Sequence, residues 1–163
     1  MFFLTVSTVY AQTAVDYNVL GNEAYKKGDL FNALPSYDKA IETDPHYAEA
    51  YNNRGLVYVK QGDFDQAIAD FSKAIALNPD DAEAYYNRGH LYADHGDLTL
   101  ADIDCTHAIQ INPNYAKAYN FRAVIYYHLE EYDKALADVQ KAEELGAVVN
   151  LNFIDELMGA LKK

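Results

Sequence analysis

The runs Ala50–Pro79, AYNNRGLVYVKQGDFDQAIADFSKAIALNP, and Ala84–Pro113, AYYNRGHLYADHGDLTLADIDCTHAIQINP, superimpose without a gap, 34 residues apart. The register extends in both directions. Tyr17, Tyr51, Tyr85 and Tyr119 share one slot, Ala33, Ala67, Ala101 and Ala135 another, and Ala40, Ala74, Ala108 and Ala142 a third. Small residues recur at Gly21, Gly55, Gly89 and Ala123, and Pro45, Pro79 and Pro113 close three of the units. A fixed period of this length marks an array of supersecondary units, each too small to bury its apolar face alone.

Inside a unit the spacing is helical. Tyr51, Gly55 and Tyr58 fall on one face, and Ala67, Phe71, Ala74 and Ile75 on one face of the next segment, so each unit reads as two short amphipathic helices. The pairs Gly28-Asp29, Gly62-Asp63 and Gly96-Asp97 lie between them, where Gly takes a left-handed C-cap and Asp caps the following helix. Proline ends the second helix by disfavouring helical geometry in the residue before it, and Asp80 with Glu83 has capping-box spacing for the next first helix. Alanine at Ala67 and Ala74, with Gly55 expected opposite, lets the helix axes approach. Pro35 falls early in a second helix, where its missing N–H is expected to be an orphan donor. The fourth unit has Glu130-Glu131 in place of Gly-Asp and Ala147 in place of Pro, which predicts the most altered turn of the four.

The period and its slots resemble the tetratricopeptide repeat family. The resemblance covers Ala14 to about Val149 as four helix–turn–helix units, 14–47, 48–81, 82–115 and 116–149. It implies an all-α fold, a right-handed superhelical α-solenoid of antiparallel helix pairs, serving as a binding scaffold whose partner the family does not name. Residues 150–163 carry Leu151, Ile154, Leu157, Met158 and Leu161 at helical spacing and end in Lys162-Lys163, resembling the helix that caps the last repeat in the family.

Composition narrows the function. A formal charge of -12 opposes a phosphate-tracking surface, so no nucleic-acid partner is expected. The lone Cys105 shares its slot with Tyr37, Phe71 and Val139 and reads as a buried apolar residue. Residues 1–13 read either as a truncated secretory signal, with Val9-Tyr10-Ala11 before the cut, or as an extension that packs on the first unit. The first is favoured, which leans toward a periplasmic or secreted location. No other stretch has the ~20 apolar residues of a membrane span.

Two charge slots travel together. Arg54, Arg88 and Arg122 recur with Asp70, Asp104 and Asp138, whereas the first unit has Leu20 and Ser36, losing both charges at once. Joint absence favours ion pairs Arg54–Asp70, Arg88–Asp104 and Arg122–Asp138 inside each unit over anion-binding arginines.

In the family the first helices line a concave groove. By that resemblance the lining here includes Asn18 and Asn22, then Asn52, Asn53 and Leu56, then Tyr86, Asn87 and His90, and finally Asn120, Phe121, Val124 and Tyr127. The lining charges Lys26, Lys60 and Lys117 balance Glu49, Glu83 and Asp94. A neutral row of amides, each able to donate and accept, suits an extended peptide backbone, and the aromatic and aliphatic residues would anchor its side chains. One subset of the family grips acidic chaperone tails with two carboxylate-binding asparagines and three basic residues. Asn22 and Asn53 match the asparagines, but Asn18, Glu83 and Asn87 occupy the basic positions. An acidic tail is therefore not the expected ligand.

No phosphate loop, nucleophile motif or ligand cluster is present, and His90 with Asp94 is too small a set for a metal. The reading is a non-enzymatic module with no cofactor and no metal, binding a protein or peptide as a monomer. The alternative is a structural subunit that self-associates through solenoid ends or edges.

Overall fold

The computed structural model describes residues 12–162, so the signal-or-extension reading of Phe2 to Tyr10 lies outside the described residues. The described residues form nine helices and no strand: α1 Ala14–Lys26, α2 Leu30–Thr43, α3 Ala48–Gln61, α4 Phe64–Leu77, α5 Ala82–Asp94, α6 Leu98–Ile111, α7 Ala116–His128, α8 Tyr132–Glu144 and α9 Leu151–Ala160. Each odd helix up to α7 packs most extensively against the even helix that follows it, and each even helix packs against the next pair. The architecture is an all-α solenoid of helix pairs.

The same slots build each joint. Ala33, Tyr37 and Val57 form one buried cluster, Ala67, Phe71 and Leu91 the next, and Ala101, Cys105 and Ile125 the third. In every case an aliphatic residue from the following first helix closes a second helix that its own partner leaves half covered. Leu157 of α9, fully buried beside Ala123, Val139 and Ala142, closes the fourth. Burying such a side chain contributes about 1.5–3 kcal/mol, so each unit depends on its successor.

Close approach within a pair comes from a glycine against a ring. A Cβ at Gly55 would lie 2.7 Å from a Phe71 ring carbon, and one at Gly21 2.5 Å from the Tyr37 ring. The atoms nearest Gly55 belong to Phe71, the bulkiest side chain on that face, and in the third unit Gly89 lies against Ala101, the counterpart of Ala67.

All four intra-unit turns share one hydrogen-bond pattern. Gly28, Gly62 and Gly96 have positive φ, and the next residue, Asp29, Asp63 or Asp97, donates its N–H to the carbonyl of Ala24, Tyr58 or Tyr92. The fourth turn repeats the pattern without glycine: Glu130 takes φ 60°, and Glu131 N–H reaches Tyr126 O at 2.8 Å. Asp29 and Asp97 cap the following helices through their side chains, whereas Asp63 and Glu131 do not. Between the second and third units Asp81, not Asp80, caps α5, accepting from Glu83 N and Ala84 N. Thr13 and Asp16 form a capping box on α1. With proline replaced by Ala147, α8 ends on Gly146 at φ 85°.

Pro35 departs from expectation. Helix α2 begins at Leu30, which puts Pro35 in its second turn, past the orphan donors, and the helix runs on to Thr43. Its missing N–H deprives the Phe31 carbonyl of its helical partner, at the exposed face where Phe31 itself lies in solvent.

Candidate peptide-binding groove

Three arginines fix the spacing of the first helices. Arg54 donates from Nε and Nη2 to both Asp70 oxygens at 2.8 Å, Arg88 does the same to Asp104, and Arg122 reaches Asp138 at 2.7 and 2.9 Å. The remaining nitrogen, Nη1, crosses to the second helix of the preceding unit, where it meets Asp38 at 2.7 Å, Ser72 at 3.0 Å or Thr106 at 2.9 Å. Each guanidinium therefore ties three helices. It also lies between two tyrosine rings of its own helix, Tyr51 and Tyr58 for Arg54, Tyr85 and Tyr92 for Arg88, and Tyr119 and Tyr126 for Arg122. The bonds to Asp70 hold the Arg54 guanidinium well above its ordinary range, against the opposing effect of burial. The cross-unit partners escaped the sequence reading, although Asp38, Ser72 and Thr106 share one polar slot.

The asparagines divide into two sets. Asn18 is 1% exposed and Asn52 4%, so neither offers an open amide. Asn18 Nδ2 donates to Tyr47 Oη at 3.2 Å and Glu49 Oε1 at 2.9 Å, and its Oδ1 accepts from Asn53 Nδ2 at 3.0 Å. Asn52 Oδ1 accepts from Asn87 Nδ2 at 3.1 Å. These amides clasp α1 to α3 and α3 to α5. Their expected role as free ligands of a peptide is corrected accordingly: packing between first helices buries both side chains. Asn22 accepts from the Tyr37 hydroxyl at 2.8 Å. Asn53 and Asn87 are half-buried, and each retains one N–H and its carbonyl beyond the clasp.

The third junction changes chemistry. Tyr86 and Phe121 stand in the clasp slots, their rings 5.9 Å apart edge to face, and His90 stacks on Phe121 at 4.6 Å. His90 Nδ1 lies 3.3 Å from Asp94. Asn120 and Val124 are half-buried on α7, and Tyr127 packs against Tyr132 and against Phe153 of α9. Burial pushes the Cys105 thiol up to about 12, in keeping with an inert apolar filler.

Between α3 and α5 the face opens into a cavity of about 140 Å³. Leu56 and Val59 form one wall and Tyr86, Asn87, His90 and Leu91 the other, over a floor made by Phe71. Leu56, Tyr86, Asn87 and His90 are thereby brought together. Phe71 and Leu91 were not foreseen as lining, because helical periodicity marks them only as core. Larger hollows, about 580 Å³ beside residues 130–134 and about 400 Å³ beside Tyr127 and Tyr132, belong to the seam with α9. No described helix is long and apolar enough to cross a membrane.

Comparison with known proteins agrees with this geometry. The TPR repeat model matches residues 21–62 and 55–96, and tetratricopeptide repeat models match 82–115 and 107–148. A crystal structure of MamA protein is similar at 29% identity and TM-score 0.72, over 81% of this chain and 72% of that one. The first TPR of Spaghetti (RPAP3), bound to the HSP90 peptide SRMEEVD, is similar at 29% identity and TM-score 0.70, over 74% of this chain and 98% of that one. The Arabidopsis OM64 TPR domain is similar at 26% identity and TM-score 0.69, over 71% and 96%. No curated protein matches the chain by sequence.

Proposed function

The chain belongs to the tetratricopeptide repeat family, and from that premise we propose that it is a non-catalytic interaction scaffold binding an extended partner segment along α1, α3, α5 and α7. The observation that carries the reading is the uncovered cavity of about 140 Å³ between α3 and α5, lined in part by Asn87, whose amide keeps one N–H and its carbonyl beyond the clasp. An extended backbone presents alternating donors and acceptors, which a half-used amide can meet, and the cavity receives a side chain. Peptide binding by the similar Spaghetti domain supports the mode.

The same residues argue against that domain's ligand here. Asn18, buried against Glu49, and Glu83 and Asn87 occupy positions where a carboxylate clamp needs cations. Fluorescence anisotropy with labelled SRMEEVD should show no saturable binding to the full chain. Micromolar, salt-sensitive binding would overturn the neutral groove. The groove itself is tested by panning a phage-displayed random heptamer library on the full chain. Enriched peptides should lose binding to Leu56→Arg; peptides that bind this variant as well as the parent would refute the assignment.

A second reading, self-association through the first unit, draws on the exposed Val15, Val19 and Leu20 of α1. Light scattering of the full chain across a concentration series should report a monomer, and a concentration-dependent rise in mass would favour the structural-subunit alternative.

A further inference from the structure

The three junctions between first helices are not equivalent, and the difference selects one anchor subsite. At the first, a phenol and an amide hold the equivalent slots, the Tyr37 hydroxyl donating to Asn22 at 2.8 Å. At the third, the stacked rings of His90 and Phe121 cover it. At the second, Phe71 lacks the hydroxyl and Leu56 stands where Asn22 did, while Asn87 makes with Asn52 the same clasp that Asn53 makes with Asn18 at the first. The cavity of about 140 Å³ lies where these two slots change. Apolar cavities of about that size accept a group as large as benzene, so one aliphatic side chain fits.

The charges around this cavity have a sign, although the groove as a whole balances. Among the groove positions read from the sequence, α3 and α5 carry Glu49, Glu83 and Asp94 against one Lys60. Glu49 is held by Asn18 and Tyr47, and Asp94 by His90. Glu83, exposed one turn before Tyr86 and Asn87, makes no side-chain hydrogen bond or ion pair with another described residue and is open to a ligand cation. Its field reaches Tyr115, whose ring lies 5.2 Å from that of the lining residue Tyr86, and helps to push that phenol upward, second to burial.

Resting on the groove reading above, we propose that the cavity between α3 and α5 takes a single Leu, Ile or Met side chain of an extended peptide that carries a Lys or Arg within about three residues, paired with Glu83. Apolar burial holds the anchor and the cation sets the direction of the chain.

The repeat supplies variants that its own slots already tolerate. Tyr occupies the Val59 slot in the first and fourth units, so Val59→Tyr fills the cavity with a residue the fold accepts. Lys117 occupies the Glu83 slot, so Glu83→Lys inverts the charge in the same way. Heptamers enriched on the full chain should carry an aliphatic residue at one fixed position with Lys or Arg nearby. Their affinity, measured by anisotropy on proteins whose circular dichroism matches the parent, should fall at least tenfold on Val59→Tyr. On Glu83→Lys it should fall about as far, with the loss restricted to peptides bearing the cation. Peptides that lose binding to Leu56→Arg but not to Val59→Tyr would overturn the anchor while leaving the groove in place. Undiminished binding of cationic peptides to Glu83→Lys would overturn the charge pairing alone. Peptides indifferent to Leu56→Arg, or no enrichment at all, would sink both the anchor and the groove.

Discussion

At the scale of the residue, the repeat shows what each slot demands by keeping the backbone and changing the side chain. Glu130 adopts φ 60° because its turn uses the hydrogen bonds that three glycines serve elsewhere. A side chain in that conformation costs roughly 1–2 kcal/mol, partly offset by the flexibility glycine brings to the unfolded chain. Glu130→Gly should therefore stabilise the protein by about 0.5–1 kcal/mol, raising the melting temperature by roughly 2–3 °C in a chain of this size. A melting temperature at or below that of the parent would show that Glu130 is unstrained. The pairing of Gly55 with Phe71 gives a second test. The fourth unit solves the same contact with Ala123 and Val139. Gly55→Ala alone should cost about 1–3 kcal/mol by overpacking Phe71. Combined with Phe71→Val it should cost less than the sum of the two single changes, and strict additivity in urea denaturation would deny that the two residues share the space.

At the scale of the element, the arginines act as three-way ties. Arg88 joins α5 to α6 through Asp104 and to α4 through Ser72. Arg88→Met leaves the Asp104 carboxylate buried without its cation and should destabilise by about 3–5 kcal/mol; Arg88→Met with Asp104→Leu should recover most of it. Equal stability of single and double variants in urea titrations would count against the tie. The first unit now makes sense: among the described residues no helix precedes α1 for Leu20 to tie, yet Asp38 persists because Arg54 of the next unit uses it. The helix pairs and the spacing of Arg to Asp were legible in sequence because both repeat in register. The cross-unit ties were not, since Asp, Ser and Thr accept the same hydrogen bond while looking unlike one another. The asparagine clasps stayed hidden for a geometric reason. Asn18 meets Asn53 and Asn52 meets Asn87, one residue off the period, so aligning equivalent slots sets side by side residues that never touch. Two of the amides assigned to the groove are for that reason buried between helices, and the open cavity depends on Phe71, which periodicity places in the core.

At the scale of the whole molecule, stability passes from neighbour to neighbour, and the described array is asymmetric along its length. Its first helix lacks an arginine tie and exposes Val15, Val19 and Leu20, whereas its last unit is closed by Leu157 of α9. In a chain of nearest-neighbour terms, loss of one joint should be felt first in the unit that depends on it. Leu157→Ala removes the side chain that plays the part of Val57, Leu91 and Ile125 and should cost about 2–5 kcal/mol. Amide hydrogen exchange should then accelerate in α7 and α8 well before α3 and α4, which retain Leu91 above Phe71 and the Arg54 tie below. The cavity between α3 and α5 lies on the protected side of that gradient, so peptides selected on the parent should bind Leu157→Ala with little change at temperatures where the fourth unit has begun to open. Uniform loss of protection, with binding lost in step, would mean that the solenoid melts as one body and that the stacked units are not the divisible elements their joints imply.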